Sequence, residues 1–100
     1  GTLRLRGAGA LQPGTYANPA NGTDGATFTV AWLDRAGHST LAWERRLEPC
    51  TREADRAPAA FDLPVPAEAT AVEFSVAPGA TNSFDWTYWH DLRFDVRFSP

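Results

Sequence analysis

Every-other-residue alternation of apolar and polar side chains runs through most of this chain, and it constrains the fold more than any other feature. In "TLRLRG", Leu3 and Leu5 alternate with Arg4 and Arg6; in "ATFTVAWL", Phe28, Val30 and Trp32 alternate with Thr27, Thr29 and Ala31. "AVEFSV" sets Val72, Phe74 and Val76 against Glu73 and Ser75, and "LRFDVRFS" points Leu92, Phe94, Val96 and Phe98 one way with Arg93, Asp95 and Arg97 the other. A period of two is the mark of strands with one dry and one wet face. "TLAWERRL" places Leu41, Trp43 and Leu47 on one side, interrupted by Arg45, and "AAFDLPV" reads as a short edge strand because Pro64 and Pro66 cannot donate to a ladder. No apolar stripe keeps a helical period for ten residues.

Turn chemistry separates these runs. "QPGTYANPANGTDG", "DRAGHS", "PCTREADRAP", "PVPAEAT" and "APGATNS" are rich in Gly, Pro, Asn, Asp and Ser, which supply special φ values or cap the backbone. "LDRAGH" predicts a hairpin loop with Gly37 in the left-handed region. "PCTREADRAPAA" has room for one helical turn and leaves Cys50 in a loop. About six short strands with turns between them predict an all-β, antiparallel two-sheet sandwich. The 100 residues suffice for a single domain, 1–100, with one two-layer core.

Composition excludes several function classes. The net charge is −3, every basic residue is Arg, and the arginines are scattered, so no basic stripe marks a nucleic-acid surface. No apolar run has the length of a membrane span. Cys50 is the single cysteine, so stability must come from packing without an internal disulfide. Ala, Arg and Pro are abundant while Lys and Ile are absent, the usage of a GC-rich bacterial genome, so the sequon Asn21-Gly22-Thr23 is read as chance. Position 1 is Gly and the sequence contains no positively charged leader with an apolar h-region; the chain is read as a piece of a longer protein or a processed form.

Catalytic constellations do not form in the sequence. His38 with Ser39 and His90 with Asp91 are adjacent, and neighbours on a strand point to opposite faces. No third group completes a nucleophile–base–acid set, and Glu44, Glu48, Glu53 and Asp62 read as ordinary strand-surface carboxylates. The chain is expected not to be an enzyme.

"DGATFTVAWLDRAGHSTLAWERRL" and "VEFSVAPGATNSFDWTYWHDLRF" resemble the galactose-binding-like jelly rolls, and among them the NPCBM-type domains, carbohydrate-binding modules attached to bacterial glycoside hydrolases. The matching positions are Phe28 and Val30, then Asp34 and Gly37, and a tail of Asp85, Trp89, Asp91 and Arg93 running into Phe94 and Val96. The likeness covers about residues 24–98. Trp86 stands where the family often has His, and the segment before residue 24 is short, so one or two jelly-roll strands are expected to be absent or irregular. The resemblance implies a non-catalytic accessory module, extracellular or at the cell surface, that binds carbohydrate weakly. The alternative, of a different class, is a structural or assembly domain that packs against another domain or chain and takes no small-molecule ligand.

"FDWTYWHD" carries the candidate site. Sugar C–H faces stack on aromatic rings while nearby carboxylates and guanidinium groups bond the hydroxyls, which selects Trp86, Tyr88 and Trp89 with Asp85, Asp91 and Arg93. Two roles compete here. Strand parity counted back from Phe94 turns Leu92, His90, Tyr88 and Trp86 inward and Trp89 outward, whereas the resemblance implies that Trp89 packs inside and that Asp85 and Asp91 bond turn backbones. A β-bulge in this segment would reconcile them. Asp34, Asp85 and Asp91 have the hard oxygen ligands calcium needs, but no contiguous calcium loop exists, and structural hydrogen bonding is the reading preferred, with no cofactor.

Overall fold

The computed structural model describes residues 2–15, 24–78 and 87–97. Strands β1 (Thr2–Leu11), β2 (Ala26–Asp34), β3 (Ser39–Leu47), β4 (Ala59–Pro64), β5 (Ala69–Pro78) and β6 (Thr87–Arg97) form two three-stranded sheets. The first sheet has the order β4-β1-β6 and the second β3-β2-β5. All neighbours are antiparallel, and the sheets pack face to face as a β-sandwich. Among these strands only the β2–β3 hairpin stays within one sheet; the other connections cross between sheets. Among the described residues no helix is long and apolar enough to cross a membrane.

The alternation explains the core. Leu5, Leu11, Phe28, Val30, Trp32, Leu47 and Phe61 are buried between the sheets, and Trp43, Phe74 and Trp89 pack against them. Trp89 makes the central contact, with ring centroids 5.3 Å from Phe28, 6.2 Å from Phe61 and 4.9 Å from Phe74, each edge-on. Edge-to-face geometry sets the positive rim of one ring against the negative face of another. β4 is an edge strand of the first sheet, as Pro64 at its end favours.

Two bulges shift the alternation. In β6, Arg6 pairs with Arg93 but Ala8 pairs with His90, so three residue steps on β6 oppose two on β1. Asp91 takes up the extra residue with a φ of 53°, a left-handed conformation in which Asp is among the few tolerated side chains. On one side of this bulge Trp89 faces inward opposite Gly9; on the other, Phe94 faces inward opposite Leu5. The parity that turns Trp89 outward fails here, because it requires an unbroken strand. In β3, Val30 pairs with Trp43 and Ala31 with Leu41, so Ala42 is the extra residue. Leu41 is thereby rotated out of the core, 59% exposed, a correction to its expected place beside Trp43 and Leu47.

Arg45 does lie on the core-facing side of β3, opposite Phe28. It reaches past the sheet edge to Asp55, in the helical turn Glu53–Arg56, with Nη2 donating to Oδ1 at 3.3 Å. Asp55 is 2% exposed and also accepts the Glu48 N–H at 3.0 Å. A buried carboxylate thus clamps the β3–β4 connection, with Cys50 half-buried in the turn between. The predicted hairpin is present: Gly37 has φ 85°, its N–H donates to the Asp34 carbonyl, and the Asp34 carboxylate accepts the His38 N–H at 2.9 Å.

The inner face of the first sheet is only partly covered. Phe94 and Val96 occupy core-facing register positions beside Leu5 and Leu3, yet both are 55% exposed. The alternation of the last strand marks the inward face as expected, but the opposing sheet covers that face only toward the Trp89 end. Phe98 lies outside the described residues.

Candidate functional site

The outer face of the first sheet brings together residues distant in sequence. Register sets three rows across β4, β1 and β6: Ala60–Ala8–His90, then Asp62–Arg6–Arg93, then Pro64–Arg4–Asp95. Tyr88 follows His90 on the same face, opposite Ala10. Alternation puts these side chains away from the core, since their neighbours Leu5, Phe61 and Trp89 point in.

Side-chain size then shapes the surface. Ala8 and Ala60 are too short to fill their row, and the longer arginine and aspartate side chains stand up beside them. A groove of about 330 Å³ results, with Ala8 and Ala60 at its base and Arg6, Asp62, His90, Asp91 and Arg93 around it. Tyr88 extends the His90 wall, with ring centroids 6.3 Å apart and planes at 88°.

The charges of this face are balanced and interlocked. Arg4 Nε donates to Asp62 Oδ1 at 2.6 Å, and Arg6 Nη2 lies 3.3 Å from Asp62 Oδ2. Asp95 Oδ2 lies between Arg6 Nε at 3.3 Å and Arg93 Nε at 3.6 Å. Arg93 Nη1 donates to Asp91 Oδ2 at 2.6 Å and to the Asp91 carbonyl at 3.2 Å. Three guanidinium groups and three carboxylates hold one another in fixed directions, which suits a neutral ligand with several hydroxyls better than a single ion. Planar guanidinium forks and carboxylates match such hydroxyls as donors and acceptors.

The expected site residues therefore divide. Tyr88, Asp91 and Arg93 are on the outer face at or beside the groove. Trp89 is in the core, so of its two competing roles the structure supplies the packing one. Asp85 and Trp86 lie outside the described residues, as does the sequon at 21–23. His90, inside the "FDWTYWHD" segment but not among the selected residues, also belongs to the groove, as do Arg6, Asp62, Ala8 and Ala60, which no sequence motif singles out as a site. The register that unites them depends on pairings between strands over 50 residues apart.

The remaining titratable residues are dispersed. Asp34 and His38 meet in the hairpin turn, Nδ1 to Oδ2 at 3.3 Å, in the second sheet and apart from His90 in the first. Glu48 pairs with Arg46 at 3.2 Å and Asp62 with Arg4 and Arg6. Asp34 is committed to the hairpin and Asp91 to Arg93, and among the described residues no group of three or more His, Cys, Asp or Glu is placed to hold a metal ion. Comparison with family models, with curated proteins and with solved structures returned no match for this chain.

Proposed function

We propose that this domain is a non-catalytic accessory module that binds carbohydrate weakly on the outer face of its first sheet, as part of a larger bacterial protein working outside the cytoplasm. The observation that carries the reading is the groove itself: an alanine base between His90, with Tyr88 beside it, and a pre-oriented Arg6–Asp62–Asp91–Arg93 rim. A sugar ring would lie with its C–H face on His90 and an edge against Tyr88 while its hydroxyls bond Asp91, Arg93 and Asp62. Since these polar side chains already hold one another, little rearrangement is needed, and exchange of existing ion-pair contacts for hydroxyl contacts keeps the affinity low. The resemblance of the tail motif to NPCBM-type domains supports the same reading.

Affinity electrophoresis through gels containing neutral polysaccharides tests it. Retardation by at least one glycan is expected for the wild type and lost in Tyr88→Ala and Arg93→Ala. Both variants alter surface side chains, so their melting temperatures should stay within about 4 °C of wild type. A wild type that no glycan retards, or variants that keep full retardation, would contradict the assignment.

A second reading has its own observation. The exposed apolar side chains along β6 favour a role in packing against another chain.

A further inference from the structure

Among the described residues β6 pairs only with β1, so its other side is an open sheet edge up to eleven residues long. Such an edge presents unpaired N–H and C=O groups and templates pairing with another strand. Its core-facing side chains are also uncovered: Leu92 is 41% exposed and Phe94 and Val96 each 55%. Beside them a cleft of about 220 Å³ opens between the sheets, with Leu3, Trp32, Val65, Val72 and Phe94 in its lining.

The sequence of β6 restricts what completes this edge. Two copies related by a two-fold axis pair antiparallel, each strand against itself. Axes between residues would set core-facing against solvent-facing side chains, so only axes through a residue are compatible with the sandwich. An axis through Arg93 brings Arg93 against itself and Asp91 against Asp95; one through Asp95 brings Asp95 against itself. Like charges directly opposite are destabilising. An axis through Phe94 sets Arg93 against Asp95 twice on the outer face, and Leu92 against Val96 twice around a Phe94–Phe94 contact on the inner face. Among these three adjacent registers, this one alone satisfies both faces.

We propose that β6 pairs with β6 of a second copy of this chain about a two-fold axis through Phe94, joining the two first sheets into one six-stranded sheet and covering the apolar row. This does not rest on the carbohydrate reading, although Arg93 belongs to both the outer groove and the strand edge, and its test contains no sugar.

Sedimentation velocity of the 100-residue chain over a concentration series provides the test, with circular dichroism confirming that each variant keeps its strands. The wild type is expected to approach twice the chain mass as concentration rises. Arg93→Asp places aspartates opposite Asp95, and Asp95→Arg places arginines opposite Arg93, so each alone should stay monomeric. Mixed in equal amounts, the two variants recover opposite charges at all four positions and should form a dimer of one copy of each. Phe94→Lys, at an exposed position, should abolish association without unfolding the domain. A wild type that remains monomeric throughout would overturn the proposal. So would a dimer that survives Phe94→Lys, or an Arg93→Asp and Asp95→Arg mixture that stays monomeric.

Discussion

Gly9 of β1 lies directly against the ring of Phe28 in the opposing sheet. A Cβ at this position would stand 2.6 Å from Cδ1 and 2.8 Å from Cγ of Phe28, well inside van der Waals contact. The missing side chain lets the fully buried Phe28 ring lie against the β1 backbone, next to Trp89, the register partner of Gly9. Gly9→Ala should therefore force Phe28 off its position and cost about 1–3 kcal/mol, the usual penalty for overpacking. Trp89→Ala removes the ring on which three phenylalanines converge and should cost roughly 3–5 kcal/mol. Tyr88→Ala, one position away on the solvent face, should change stability by no more than about 0.5 kcal/mol. Urea unfolding of the three variants checks this order, and equal losses at positions 88 and 89 would contradict the inward placement of Trp89.

At the scale of strands, the bulge at Asp91 decides which side chains are core and which are surface. Its left-handed backbone tolerates Asp or Asn and penalises β-branched residues, so Asp91→Val should cost about 1–2 kcal/mol while Asp91→Asn stays close to wild type. Asp55 has the comparable role between β3 and β4. Asp55→Ala leaves the Glu48 N–H and the Arg45 guanidinium without their acceptor, a loss of about 2 kcal/mol by urea unfolding, tempered by the half-exposure of Arg45. The strands most legible in the sequence are β2 and β5, whose alternation marks the face each turns toward the first sheet. The "GAGAL" half of β1 shows no alternation because Gly and Ala are small on both faces, although it is central to the first sheet. Leu41 and Trp89 depart from simple parity for a common reason. A bulge changes parity by a single residue, and its only trace in the sequence is an Asp or an Ala of a kind that also occurs in unbroken strands and turns.

For the whole molecule, the two-layer architecture follows from alternation, but the site does not. Tyr88, Asp91 and Arg93 are close enough in sequence to be grouped by eye. Arg6, Asp62, Ala8 and Ala60 join them only through strand register, which long loops leave open until the sheets assemble. How far the sheets cover each other is equally hidden: Phe94 and Val96 read as core by pattern and are half-exposed in space. Sandwich, groove and open edge all depend on Trp89 entering the interior while Tyr88 and Arg93 face outward. Nuclear Overhauser contacts from the Trp89 indole test that arrangement most directly. Cross-peaks to the rings of both Phe28 on β2 and Phe74 on β5 are predicted, together with contacts between Tyr88 and His90. An indole that shows neither phenylalanine contact, while Tyr88 contacts Phe28 instead, would contradict it.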